Sequence, residues 1–314
     1  MNTIKREDLH IISQHSDLSA EAADAALKRN VYTTREDWQK FLQILFITFG
    51  VGFTVAGVIF FFAYNWSALH KFVKIGLIVG LIITAVGVAL QPKLNSLVRN
   101  IVLTAASMFV GVLFAVFGQI YQTGANAYDF FLAWTIFTSI WVCISNFPPL
   151  TLIYLALINT TFILYYYQVT SWHKLHFFLL LFLLNLIAFL GCLFFKKINS
   201  PKWLTYIFAT YVIVVATIGC CIGISQRYHY ASVLIYLLTA IVYPLAVLYA
   251  LKIKSTFYIG VIIFSLLIIL TALLLKVEFT DVTLLLIALM NAAGIGGTVK
   301  LLNDLQKKWK HENN

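Results

Sequence analysis

Runs of about twenty apolar residues, repeated along nearly the whole chain and broken only by short polar segments, are the feature that most limits what this sequence can fold into. A run of that length without alternation matches a helix crossing about 30 Å of hydrocarbon, whereas a barrel strand needs only about ten alternating residues. Of the 314 residues, 61% are hydrophobic and 11% charged, far from the composition of a water-soluble domain. Such a chain needs the bilayer as solvent, and a lipid-exposed backbone must then satisfy its own hydrogen bonds within helices. The expected fold is therefore all-α: a polytopic helical membrane bundle of about ten transmembrane helices behind a short N-terminal helical segment.

The spans fall near residues 41–63, 72–90, 101–118, 129–146, 149–167, 176–195, 203–222, 232–250, 256–275 and 281–302. Pro148 and Pro149 after Asn146 mark a tight turn in an otherwise unbroken apolar run. The organisation expected is a cytosolic helical segment over 1–40, the bundle over 41–302 and a basic cytosolic tail over 303–314. Residues 1–40 lack the basic start, apolar core and small-residue cleavage site of a signal peptide. Their apolar positions Leu9, Ile12, Leu18, Ala22 and Leu27 suggest a helical hairpin, with Asp17 or Ser19 capping its second helix. Thr33 or Thr34 ahead of Glu36 and Asp37 reads as the start of the first span.

The net charge of +10 follows the loops. Seventeen of the 22 Lys and Arg lie on the face that holds both termini, so the positive-inside bias places the N- and C-termini in the cytoplasm. No basic stripe interleaved with aromatics is present, and nucleic acid is not an expected partner. Cys143, Cys192, Cys220 and Cys221 lie in or at the ends of apolar runs and read as small buried hydrophobes.

Small residues at intervals of four, Gly76-Gly80-Thr84, Gly219-Gly223 and Gly294-Thr298, read as helix-packing seams. Asn159, Asn185 and Asn291 sit in the middle of spans and must point inward to find partners. No Asp, Glu, Lys or Arg lies near the centre of a span, which disfavours a proton-coupled pump. Motifs for a phosphate-cradling loop, a paired-histidine zinc helix or a glycine-flanked nucleophilic serine are absent. His173 and His176 share a short outer loop, but two histidines do not make a site without a third ligand, so neither a metal nor a cofactor is expected.

Polar and aromatic residues gather in two outer segments. One is Phe62-Ala63-Tyr64-Asn65-Trp66 at the end of the first span. The other joins the third span to the fourth and runs from Gly118 to Asp129, with Trp134 following. Amides of Asn65, Gln119 and Gln122, the rings of Trp66, Tyr121 and Trp134, and the Asp129 carboxylate form a candidate site for a lipid headgroup or sugar-like ligand. The same residues also suit structural roles: Asn65 as a left-handed helix terminator, Asp129 as a helix cap, the aromatics as an interfacial belt. Three functions are consistent with this pattern. The first is binding or translocation of an amphipathic or sugar-like ligand at the outer ends of spans one, three and four. The second is an anchor or assembly partner that acts through the N-terminal segment. In the third, a membrane-embedded enzyme on a lipid-linked substrate would depend on Asp129.

The segment Leu18-Ser19-Ala20-Glu21-Ala22, the Phe-Ala-Tyr-Asn-Trp ending at 62–66 and the Gly-Gln-Ile-Tyr-Gln run at 118–122, with Asp129 and Trp134 after it, resemble the bacterial membrane proteins defined by domain of unknown function 2157. The likeness covers roughly residues 5–150. It implies a bacterial cytoplasmic (inner) membrane location, the lipid bilayer as the surrounding partner and a cytosolic N-terminal segment. It names no reaction.

Overall fold

The computed structural model describes residues 19–30, 34–65, 67–121, 124, 126–194, 201–226, 229–277 and 280–312, and every element among them is an α-helix. In chain order these are α1 (Ala20–Asn30), α2 (Arg35–Tyr64), α3 (Lys71–Ala89), α4 (Ser96–Tyr121), α5 (Ala127–Ser145), α6 (Pro148–Val169), α7 (Lys174–Phe194), α8 (Lys202–Ser225), α9 (Tyr230–Lys252), α10 (Thr256–Val277) and α11 (Asp281–His311). The ten helices from α2 onward are long and apolar enough to cross a membrane. Each coincides with an expected span. Their outer faces carry side chains that water would not tolerate in such number: Phe46, Phe53 and Phe60 of α2 are 68%, 72% and 73% exposed. Only a hydrocarbon solvent makes these faces stable.

Helix ends differ from expectation where polar residues extend a helix beyond the hydrocarbon. The start of α2 is set by Thr34, whose hydroxyl accepts the Asp37 N–H at 3.2 Å while the Asp37 carboxylate accepts the Thr34 N–H at 3.1 Å. This reciprocal box satisfies two donors at once and starts the helix at Arg35, ahead of the apolar run. At the other end, α11 continues to His311, through residues assigned by hydropathy to the tail. Before α1, Ser19 Oγ accepts the Ala22 N–H at 3.2 Å. Leu9, Ile12, Asp17 and Leu18 lie outside the described residues, as do Thr33 and Trp66. The two-proline turn forms as its chemistry requires. Asn146 takes the left-handed conformation (φ 46°) and Pro148 and Pro149 occupy the first positions of α6, where missing N–H groups leave no carbonyl unpaired.

The chain divides into two compact units, residues 1–120 and 121–314. In the first, Val55, Ala105 and Phe109 form one buried cluster and Phe62, Ile78 and Val116 another. The Gly76-Gly80 stripe does not receive a close neighbour there: a Cβ added at either glycine would meet nothing within 4 Å. It faces instead a groove shared by Thr54, Gly57 and Phe61 of α2 with Gly76, Gly80 and Thr84 of α3.

The second unit holds the larger core. Phe177, Leu181 and Phe182 of α7 pack with Val212, Val215 and Ala216 of α8, Tyr243 of α9 and Ile262 of α10. Its seams are closed. A Cβ on Gly223 would lie 2.6 Å from the Tyr236 hydroxyl and 2.9 Å from Ser232 Cβ, and one on Gly294 would lie 2.5 Å from Leu267 Cδ2. Polar groups pair across helices. Asn159 and Asn185 exchange amide hydrogen bonds at 3.0 and 2.7 Å, and each donates a further bond to its own helix at Leu155 and Leu181. Asn291 donates to Thr271 Oγ1 at 3.1 Å. The Ser265 hydroxyl lies 2.6 Å from both the Thr217 and the Tyr243 hydroxyls, tying α8, α9 and α10 together near mid-span.

Two stability predictions follow from these contacts. Asn185→Leu should lower unfolding stability in detergent by about 1–2 kcal/mol, since it strands half of a buried amide pair. The Asn159→Leu/Asn185→Leu double variant should recover at least half of that loss. Additive losses in a double-mutant cycle would contradict the pairing. Gly223→Ala should raise thermal lability, by about 1–3 kcal/mol if Ser232 and Tyr236 must yield. Gly76→Ala, with open space around it, should change stability by no more than about 0.5 kcal/mol in the same assay.

Candidate functional site

The candidate residues of the outer segments fall in different units. In the first, Asn65 follows the last residue of α2. Its backbone N–H and its side-chain Nδ2 both donate to the Phe61 carbonyl, each at 3.0 Å. The amide thus closes its own helix, though at φ −94°, ψ 17° rather than in the left-handed conformation expected for it. Gln119 is exposed near the end of α4.

In the second unit, Asp129 stands in the first turn of α5 and its Oδ2 accepts the Asn126 N–H at 3.0 Å. A carboxylate there offsets the partial positive charge of the helix start. The neighbouring Tyr128 N–H donates to Gln168 Oε1 at 3.0 Å, joining the start of α5 to the end of α6. Tyr128 meets Tyr165 edge-on at 5.3 Å between centroids, and Tyr165 meets Trp172 at 5.9 Å. Trp134 packs beside Phe130 and Phe131 at 5.8 and 5.9 Å. Tyr121 is exposed at 44%. Gln122 lies outside the described residues. Asn65 and Asp129 each bond at a helix end, and Tyr128, Tyr165 and Trp172 form an aromatic row joining the start of α5 to the end of α6.

Two features of the second unit have more of the character of a site. One is an apolar cavity of about 280 Å³ between α7, α8, α9 and α10, lined by Phe189, Leu193, Val212, Ala246, Tyr249 and Tyr258 among others. Leu190, Leu245 and Tyr249 on its margin are 39%, 59% and 36% exposed, so it communicates with the lipid-facing surface. Its walls come from the last turns of α7 and α9 and from the early turns of α8 and α10, which places it at the end of the unit where Lys202 opens α8 and Lys252 closes α9. Lys254 in the following turn pairs with Glu312 at 3.1 Å.

The other feature lies at the opposite end of α7 and α9. His173, directly before α7, His176 in its first turn and His229 at the N-cap of α9 bring one ring nitrogen each to within 4.8 Å of one another. Partial desolvation, then repulsion from His173 and His176, holds the His229 pKa below the ordinary imidazole value. His229 supplies the third ligand that the pair His173 and His176 lacks in the sequence. The signal available was alternation: the loop before α7 and the loop before α9 emerge on the same face of a regularly crossing bundle.

Replacement of Asp129 by Ala should lower stability by about 0.5–2 kcal/mol through loss of the cap, and Asp129→Asn should retain most of it. Thermal unfolding of the purified variants would check this; an Ala variant as stable as the parent would remove the capping role.

Residues 13–151 match the model of the family described as "Predicted membrane protein (DUF2157)". No curated protein and no solved structure matches the chain.

Proposed function

With residues 13–151 carrying the DUF2157 pattern of predicted membrane proteins, we propose that this multi-pass protein binds an amphipathic, lipid-like ligand whose apolar tail occupies the cavity between α7, α8, α9 and α10. The cavity is the observation that carries this reading. A space of about 280 Å³ walled by Leu, Val, Phe and Tyr side chains suits a hydrocarbon chain and offers little to a sugar, whose hydroxyls would need a partner on every side. The exposed Leu245 and Tyr249 on its margin give a chain lateral access from the bilayer.

Charge selects the headgroup. Lys202 and Lys252 flank the same end of the unit, and ammonium groups at a membrane surface favour an anionic head by about 1 kcal/mol each. The positive-inside distribution of the sequence supports a cytoplasmic position for this end and for both termini, in the bacterial inner membrane that the family resemblance suggests. Asn65 and Asp129 are not part of this reading: each bonds at its own helix end, away from the cavity lining. With Asp129 engaged at a helix start, a binding function is better supported than catalysis on a lipid-linked substrate.

Lipid retained through purification, identified and quantified by native mass spectrometry, tests the proposal. The parent protein should keep an anionic lipid, Ala246→Trp should lose it by filling the cavity, and Lys202→Gln/Lys252→Gln should lose the preference for anionic over zwitterionic heads. Equal lipid occupancy in the Ala246→Trp variant would overturn the cavity as the binding place.

A further inference from the structure

We propose that His173, His176 and His229 form a binding site for a divalent transition-metal ion of the zinc class, a site independent of the apolar cavity at the other end of the same helices. Three observations carry it. The first is convergence: one nitrogen from each ring lies within 4.8 Å of the other two. A tetrahedral ion with Zn–N bonds of about 2.0–2.1 Å needs its nitrogens about 3.4 Å apart, a closure that rotation of the three side chains can supply. His173 is exposed and the other two are partly so, which leaves the ion a path from water.

The second observation is rigidity of the backbone beneath the rings. Leu175, between His173 and His176 in sequence, and Ala231, two residues after His229, are fully buried in one shared cluster with Leu179, Cys220 and Ile235. The ligands therefore project from two helix starts already fixed against each other, the arrangement a metal site requires of its scaffold.

The third is the ring packing itself. His173 and His229 stack at 4.4 Å between centroids with 8° between planes, and His176 stands edge-on to His229 at 4.9 Å. The three rings thus already share one small volume at the two helix starts. With imidazole nitrogens and no carboxylate or thiolate in the group, the donor set suits Zn²⁺, Cu²⁺ or Ni²⁺ rather than Mg²⁺ or Ca²⁺. The Tyr230 hydroxyl meets His176 Nε2, and water can complete a four-coordinate site.

Ligation has a defined consequence for protons. At present His173 Nδ1 accepts the Leu175 N–H at 3.3 Å and His229 Nδ1 accepts the Ala231 N–H at 3.1 Å. Both rings consequently carry their neutral-state proton on Nε2. An ion bound at Nε2 moves that proton to Nδ1, and an ion bound at Nδ1 displaces the backbone donor directly. In either case the metal exchanges two helix-start hydrogen bonds for metal–nitrogen bonds, and it clamps the start of α7 to the start of α9.

The test uses the full chain, stripped of metal with a chelator in detergent and titrated with Zn²⁺ alone against a chromophoric competitor. One ion per chain should bind with a Kd in the micromolar range or tighter, and bound Zn²⁺ should raise the thermal midpoint. His173→Asn and His229→Asn keep a cap acceptor while removing a ligand, so each should fold normally and weaken Zn²⁺ at least tenfold. His70→Ala, outside the trio, should leave affinity unchanged. Co²⁺ should give the visible bands of a four-coordinate nitrogen site in the parent and not in the Asn variants. Absence of saturable Zn²⁺ binding in the parent would overturn the site, as would binding that persists undiminished in the His173→Asn/His229→Asn double variant.

Discussion

Hydrocarbon offers a polar group no hydrogen bond, and that single property of the solvent organises the rest of this protein. Backbone groups meet the condition by forming helices, which is why every described element is one. Side chains meet it in two ways. In the first unit, Thr48, Thr54, Thr84 and Thr104 return their hydroxyls to the carbonyl four residues back. In the second, Thr135, Thr161 and Thr210 do the same, and other polar side chains also reach across helices: Asn159 to Asn185, Asn291 to Thr271, and Ser265 to both Thr217 and Tyr243. Each such bond is worth about 1 kcal/mol or less, but it has a direction that dispersion lacks. It therefore fixes register between helices whose apolar surfaces could slide.

Close approach between helices follows a second rule, that small residues are useful only where something fills the space they leave. Gly219, Gly223 and Gly294 each have a side chain of another helix against the missing Cβ. The equivalent spacing at Gly76 and Gly80 meets nothing within 4 Å and borders a groove with α2. Sequence spacing alone treats these stripes as equals. Whether a stripe becomes a seam depends on the bulk opposite, as Ile235, Tyr236 and Leu267 illustrate.

The helices were legible in the sequence because hydropathy and helix length are set by the same bilayer thickness, and the Asn146-Pro148-Pro149 turn because proline acts locally. Extension of α2 back to Arg35 and of α11 on to His311 was less legible, since beyond the hydrocarbon a polar helix and a polar tail have similar composition. The outer-end residues posed a different difficulty. Asn65 and Asp129 are of types that both bind ligands and cap helices, so residue type could not decide between the two. In the structure each makes a local bond at a helix end, Asn65 to the Phe61 carbonyl and Asp129 to the Asn126 N–H. His229 was missed because its relation to His173 and His176 exists only once α7 and α9 pack.

Those two helices also explain why the ends of the second unit differ in chemistry. At one end, buried Leu175 and Ala231 draw α7 and α9 together and bring imidazoles into contact above them. Further along, the hydroxyl knot of Thr217, Tyr243 and Ser265 is already satisfied within the protein. Tyr243 belongs to that knot and to the cavity wall alike, and its hydroxyl is already bonded to Ser265. A polar ligand entering there would surrender its water and meet almost no group in need of a bond, whereas a hydrocarbon tail would surrender nothing. The same packing closes α7 on α9 at the histidines and walls the cavity at the lysine end with apolar side chains.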